Sequence, residues 1–446
     1  MSDWRSHRLL RHLYSLLLWL LLPLVLLRLF WRSRRAPAYR ERWLERLGCF
    51  GASPRPAEVW IHAVSVGEVQ AAQPLIRHLL RQRRSVLVTT TTPTGTRRLR
   101  DLLADAVQHR YTPLDLRPIM GRFLDAVSPR LVLVMETEIW PNMLAACGQR
   151  GIDVMLVNAR LSPRSARGYA RVRRFSAETM RSFALIAAQS LDDANRFESL
   201  GVDPTRILVT GSIKFDVQLP GSLVERAEVM RRAWGINRAV WVAASTHEGE
   251  EPQLLAAHER VRLRHPDALL VLVPRHPERF ERVAALVPRF GMRLARRSLQ
   301  QACDAETAVY LGDTMGELPV FLAAADVAFI GGSLVPTGGH NLLEPAAVGV
   351  PVLIGPHSFN FAEITRLLVE REAAVQVADA QALSDWLVRW LGDAAERARI
   401  GENGRQAVQR NRGALDRLIQ LVDVRLGPEP GPEDQGKGPQ ADESAT

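Results

Sequence analysis

VWIHAVSVGEVQAAQPLIRHLLRQRRSVLVTT, residues 59–90, decides the fold. It opens on an apolar run, VWIHA (59–63), passes into a helical stretch from Val69 to Arg83, and closes on a second apolar run, VLVTT (86–90). Two short continuous apolar runs joined by a helix make a parallel βαβ unit whose strands are covered on both faces. The alternation continues through a helix at Gly95–Ala106 and strands LVLVM (131–135), DVMLVN (153–158), LIAAQ (185–189) and ILVTG (207–211). It then restarts. VWVAAS (240–245) is followed by a helix over Glu250–His265 and by strands ALLVLVP (268–274), VYLG (309–312), VAFIGG (327–332) and VPVLIG (350–355). Two such arrays in one chain give an α/β fold of two doubly wound, Rossmann-like domains facing a cleft.

The expected divisions follow. Residues 1–46 are an N-terminal membrane anchor with a basic juxtamembrane segment, 47–218 a first domain and 219–426 a second, with Leu219-Pro220-Gly221-Ser222 breaking the pattern between them. Residues 427–446 are a polar, acidic, Pro- and Gly-rich tail whose composition predicts disorder.

The anchor rests on Leu13–Leu27, interrupted only by Ser15 and Pro23 within an otherwise apolar run. Arg5, Arg8 and Arg11 precede it; Arg28, Arg32, Arg34 and Arg35 follow. Ala36-Pro37-Ala38 imitates a signal-peptidase site, but four arginines between it and the apolar core argue for an uncleaved anchor. The later arginine cluster places the body on the cytoplasmic side. Both flanks are basic, so a helix that spans and one that lies in a single leaflet stay equally open.

Composition narrows the function classes. Hydrophobic residues make up 47% of the 446 and charged residues 24%, which excludes a disordered, collagenous or disulfide-scaffolded chain. Cys49, Cys147 and Cys303 form no CxxC pair, so neither a zinc knuckle nor a disulfide framework is supported. The net charge of +10 calls for an anionic partner. Ten arginines against three acids in residues 1–46 put much of that charge beside the apolar segment. With aromatics at 6%, a nucleic-acid binder is not expected.

Several strand ends carry candidate chemistry. His62-Ala63-Val64-Ser65-Val66-Gly67-Glu68 leaves the first strand and sets Glu68 at a helix start. There it is a general base or a capping glutamate. Met135-Glu136-Thr137-Glu138-Ile139-Trp140-Pro141 leaves another; one acid should face the ligand and the other brace the loop. Lys214, in Gly211-Ser212-Ile213-Lys214, is the only lysine before the tail of a chain that otherwise uses arginine. Arg275, after Pro274, offers a forked donor for phosphate, or is a surface arginine. Gly312–Leu318, Gly331–Ser333 and Gly338–Pro345 are glycine-rich turns before helices, as nucleotide sites use. There is no GxxxxGK[ST] and no Asp-x-Asp, which favours metal-free transfer with a monophosphate leaving group.

Taken together, HAVSVGE (62–68), TPTG (92–95), METEIWPN (135–142), NARLS (158–162), GSIKFD (211–216), STHEGEE (245–251), PRHPERF (274–280), GDTMGEL (312–318), GGHNLLEP (338–345) and GPHSFNF (355–361) resemble the Kdo (3-deoxy-D-manno-octulosonic acid) transferases of lipopolysaccharide synthesis. The resemblance runs from about residue 10 to about residue 420. It implies a GT-B glycosyltransferase that inverts the anomeric centre, needs no metal or cofactor, and moves Kdo from CMP-Kdo to a phosphorylated, tetraacylated lipid A precursor at the inner membrane. It implies Glu68 as general base and Glu136 and Lys214 as transition-state stabilisers. It assigns Pro274, Arg275, Met315, Gly316, Glu317, Asn341, Leu342, Leu343 and Glu344 to CMP. The rival readings are a lipid-linked transferase using UDP-GlcNAc, an epimerase and a two-lobed binding protein of similar layout.

Overall fold

The structure is a computed structural model that describes residues 2–35, 37–50, 54–217 and 219–428. Of the tail, 429–446 lies outside the described residues.

The chain forms two compact units, one from residues up to Ile213 together with those from Gly413 onward, the other Lys214–Arg412. The first holds a seven-stranded sheet in the order β3-β2-β1-β4-β5-β6-β7. Its strands are β1 Val59–His62, β2 Val86–Thr90, β3 Gln108–Tyr111, β4 Leu131–Met135, β5 Asp153–Ala159, β6 Leu185–Ala188 and β7 Ile207–Val209. The second unit repeats the plan as β10-β11-β9-β8-β12-β13-β14. These are β8 Val240–Thr246, β9 Leu269–Pro274, β10 Arg293–Arg296, β11 Thr307–Leu311, β12 Val327–Ile330, β13 Val352–Ile354 and β14 Ala374–Gln376. Each described pairing is parallel. The central strands are apolar because helices cover both faces: β1, β2 and β4 are buried throughout.

In each sheet the strand order reverses at one point, between β1 and β4 in the first and between β8 and β12 in the second. Doubly wound sheets bind ligands just beyond the carboxyl ends of the strands at such a point. The loops leaving β1 and β4 are the ones that carry Glu68 and Glu136. Those leaving β8 and β12 carry His247–Glu250 and Gly331–Ser333.

Two expected boundaries are corrected. The second unit begins at Lys214, and it ends at Arg412 rather than at 426. The final helix, Ala414–Leu426, belongs to the first unit. Leu415, Leu418, Val422 and Leu426 form an apolar stripe in one core with Leu75, Leu79 and Val86. Asp423 meets His78 at 3.0 Å and Arg425 meets Asp153 at 2.7 Å.

The N-terminal helix α1 is continuous over Ser2–Arg35 and contains Pro23. Its stretch Leu10–Arg34 is long and apolar enough to cross a membrane.

Candidate active site

Helix α2 (Val66–Arg81) starts directly after β1. Ser65 is its N-cap and accepts a hydrogen bond from the Glu68 N–H. In return the Glu68 carboxylate accepts from the Val64 N–H and from the Ser65 hydroxyl, each at 2.8 Å. This reciprocal capping box fixes the Glu68 rotamer at the end of the sheet. The capping and the general-base readings therefore describe the same side chain. Glu68 is 8% exposed. Burial pushes its carboxyl up to about 7, against the Val64 and Ser65 hydrogen bonds and with help from the charges of Glu136 and Glu138. A carboxylate held there by geometry and poised near neutrality has the properties of a general base.

Glu136 follows β4 with φ +56, left-handed backbone that few non-glycine residues adopt. Glu138 accepts the Trp140 indole N–H at 2.9 Å and braces the loop. The Trp140 ring stands edge-on to His62, 4.9 Å between centroids. His62 is a packing residue. Its imidazole is fully buried and 3.0 Å from the Thr89 hydroxyl, and burial holds it neutral with a pKa lowered to about 3.

Helix α3 (Pro141–Gln149) opens right after this loop, and its N-cap Trp140 makes no side-chain cap. Asp115 supplies the cap from elsewhere in the chain, accepting the Asn142 N–H (3.1 Å) and the Met143 N–H (2.7 Å). The Tyr14 hydroxyl also donates to it, at 2.9 Å. Asp115→Ala orphans all three donors at once. A loss of about 3 kcal/mol is expected, read as a lowered urea midpoint.

In the second unit, Arg275 follows β9, and its backbone N–H is tied to Thr246 O at 3.0 Å. Its guanidinium is half-buried and makes no ion pair among the described residues. Its charge reaches His247 and His340, adding to the burial that lowers their pKa values, and reaches Glu344, where it opposes the burial that raises the carboxyl. His247 and His340 stack with Nε2 atoms 2.7 Å apart, and burial holds both neutral. One forked cation beside two neutral imidazoles is a receptive site for a single phosphate.

The other assigned residues divide by what they present. Asn341 donates to Glu344 at 3.1 Å and accepts the Leu343 N–H, fixing the start of the short helix Leu343–Ala347. Burial raises the Glu344 carboxyl above its ordinary range. Leu342 and Leu343 are core residues, so they offer a ligand only backbone. Met315 is exposed and Gly316 has φ +81. The Glu317 carboxylate is committed to Arg297, to the Thr314 hydroxyl and to Arg226, and the Arg297 fork holds it down at about 2. Lys214 lies in a turn of 3-10 helix, Ile213–Phe215, at the first residue of the second unit.

Residue-level reasoning missed Glu250 and Glu251. Glu250 is fully buried and takes four backbone N–H groups, from His247, Gly332, Ser333 and Leu334, at 2.6–2.9 Å. Glu251 accepts both Nη atoms of Arg279 at 2.8 Å and the Thr246 hydroxyl at 2.7 Å. Adjacent acids just after an apolar strand were the available signal.

Set against known proteins, residues 41–217 match the family model described as 3-Deoxy-D-manno-octulosonic-acid transferase (kdotransferase), and residues 253–407 match glycosyl transferases group 1. A 3-deoxy-D-manno-octulosonic acid transferase of Haemophilus influenzae is 41% identical, covering 92% of this chain and 98% of its own. Another, from Bordetella pertussis, is 37% identical over 94% of this chain and 100% of its own. Among solved structures, the UDP-GlcNAc 2-epimerase of Neisseria meningitidis shares the fold with a TM-score of 0.54 at 14% identity, over 82% of this chain and 99% of that one. Two doubly wound sheets, with Glu68 and Glu136 beyond the switch point of one and Arg275 beyond β9, one strand from the switch point of the other, have the GT-B layout, and the family matches make the chain a glycosyltransferase of that class. Within that class, the chain belongs to the Kdo transferase family.

Proposed function

We propose that this chain transfers Kdo from CMP-Kdo to the 6′-hydroxyl of a tetraacylated lipid A precursor, inverting the anomeric centre without a metal ion. The observation that carries the mechanism is the buried Glu68, held by its capping box and poised near neutrality. Ionised Glu68 takes the proton of the acceptor hydroxyl as that oxygen attacks the anomeric carbon. Glu136 and Lys214 stabilise the charge that develops during transfer, and Lys214 suits the carboxylate of Kdo. CMP leaves with one phosphate, whose charge a single arginine offsets, so Arg275 does the work that a divalent metal does for a diphosphate.

The acceptor side is supported by charge and by the anchor. Helices α4 (Pro163–Ala170) and α5 (Arg173–Arg181), with the turn between them, display Arg164, Arg167, Arg171, Arg173 and Arg174, all exposed and none in an ion pair among the described residues. Exposed Val172 lies among them. The Tyr14 ring, 5.8 Å from Phe175, sets this basic surface beside α1. A cationic face next to an apolar helix fits a phosphorylated lipid presented at the cytoplasmic face of the inner membrane.

The deciding experiment incubates detergent-solubilised protein with CMP-Kdo, synthetic lipid A precursor and EDTA, and weighs the lipid by mass spectrometry. Lipid heavier by Kdo confirms donor, acceptor and metal independence together, and tandem fragmentation places the linkage. Unchanged lipid from folded protein overturns the reading, and product formed only from a UDP-sugar replaces it with the UDP-GlcNAc alternative. In the same assay Arg275→Ala should raise the KM for CMP-Kdo about thirtyfold, the worth of one charge-assisted hydrogen bond near 2 kcal/mol. An unchanged KM would remove Arg275 from the donor site.

A further inference from the structure

The apolar stretch of α1 is tied to the first unit at its N-terminal end, and the segment that follows the helix is tied to the same unit. Where that stretch begins, Tyr14 donates to Asp115 (2.9 Å) and Ser15 donates to the Asn142 side-chain oxygen (3.1 Å). Past its far end, Arg40 Nε donates back to the Ser33 hydroxyl (2.9 Å). Arg42 donates to the His109 carbonyl (2.8 Å), and Glu45 accepts the Tyr111 N–H (3.0 Å) on edge strand β3.

Tyr111 and Asp115 are four residues apart, so their backbones are separated by at most about 14 Å. From Tyr14 to Arg34 the helix rises about 30 Å, the full thickness of a bilayer's hydrocarbon. If α1 spanned, Tyr14 and Arg42 would lie on opposite sides of the membrane, and they could not both reach neighbouring partners on one sheet edge.

The faces of the helix agree. Ser15 and Ser33, its buried residues among those described, are eighteen residues apart, five turns at 3.6 residues per turn, and so share one face. Leu13, Leu17, Leu20, Leu24, Leu27 and Trp31 are exposed and recur every three or four residues along the opposite face. Exposure is not confined to that face, since Leu16, Trp19, Leu21, Val25 and Phe30 are exposed as well, so the body covers only the narrow line through Ser15 and Ser33. Arginines on both flanks fit the same arrangement, because both ends then sit at the anionic cytoplasmic surface.

We propose that α1 is a monotopic anchor that lies along one leaflet, its leucine face in the acyl layer and both its ends on the side of the catalytic body. The inference rests on the membrane-associated reading above and decides its topology. The test uses the full chain in a Gram-negative host and a membrane-impermeant maleimide. Cys49 is exposed and reports the body, in a Cys303→Ser background. A Ser2→Cys variant lacking Cys49 and Cys303 reports the helix start, and Cys147 is buried.

Both reporters should stay unlabelled in intact spheroplasts and label after permeabilisation. Ser2→Cys labelled in intact spheroplasts while Cys49 stays protected would establish a spanning helix and overturn the proposal, leaving membrane association intact. Protein released from washed membranes by high salt alone would overturn membrane anchoring itself. Should the cysteine variant fail to accumulate, a protease site placed ahead of Ser2 gives the same two readings.

Discussion

Glu68→Gln should lower kcat about a thousandfold, within the range a positioned general base contributes. The same change should make the protein more stable at pH 8. Both effects have one origin. Burial pushes the Glu68 carboxyl up to about 7, so ionising it inside the fold is unfavourable compared with the unfolded chain. The sign follows from proton counts. Between the ordinary glutamate value and about pH 7, the folded state holds a proton that the unfolded state has released. Stability therefore falls as pH rises through that window, and the cost is fully present above it. At 1.36 kcal/mol per pH unit it comes to about 3 kcal/mol at pH 8. Glutamine keeps the shape and stays neutral; its carbonyl can retain the Val64 N–H while its amide donates to the Ser65 hydroxyl, so most of the cost is avoided. Thermal unfolding at pH 5 and pH 8 should show the variant ahead chiefly at pH 8. For the unmodified chain, kcat should rise about tenfold per pH unit below 7 and level off above it, because only the ionised form accepts the acceptor's proton. CMP affinity, measured by calorimetry, should be unchanged, since Arg275, His247 and His340 all belong to the other unit. Retained turnover in Glu68→Gln would end the general-base assignment.

What the sequence disclosed, and what it hid, follows burial. The central strands β1, β2, β4, β8, β9 and β12 lie within a residue or two of their apolar runs, because strands covered on both faces have no polar positions. The edge strands β3, β10 and β14 went unseen. Gln108–Tyr111 and Arg293–Arg296 are polar and only partly buried, so no continuous apolar run marks them. The helix after β1 begins at Val66, three residues before its first apolar periodicity, because Ser65 and Glu68 start it by capping. The last helix carried a legible apolar stripe, but nothing in a periodicity says which sheet it covers. At the candidate site, Glu68 stood out because it leaves β1, a strand at the switch point, and Arg275 because it leaves the carboxyl end of β9. Glu138 and Trp140 illustrate the limit: spacing separated the two acids of that loop, but only coordinates show Glu138 taking the indole N–H. Glu317 is a similar case: its motif gives no hint of Arg297 and Thr314, which hold its carboxylate.

Glu250→Ala should be the most destabilising single substitution in the second unit. Its carboxylate, fully buried, receives the N–H groups of His247 and Gly332 on one oxygen and of Ser333 and Leu334 on the other. Alanine leaves four donors facing no acceptor, each costing about 1–3 kcal/mol if water cannot reach it. Even the low end, about 4 kcal/mol, is a large share of the 5–15 kcal/mol typical of a whole protein. Packing limits relaxation, because Gly331 lies against Ser245 O and Thr246 Cα so closely that a Cβ there would stand only 2.7–2.8 Å away. Glutamine should be intermediate. Its carbonyl serves one pair of donors, while its amide turns N–H groups toward the other pair. The readout is urea unfolding followed by tryptophan fluorescence, with Trp241 fully buried in this sheet. Donor affinity should fall alongside stability. The Gly332 turn orients the His340 that stacks on His247, and the strand beneath it holds the Arg275 backbone through Thr246 O. A wild-type urea midpoint in Glu250→Ala would mean that water replaces the carboxylate without loss, and that the β8–β12 switch point is held by packing alone.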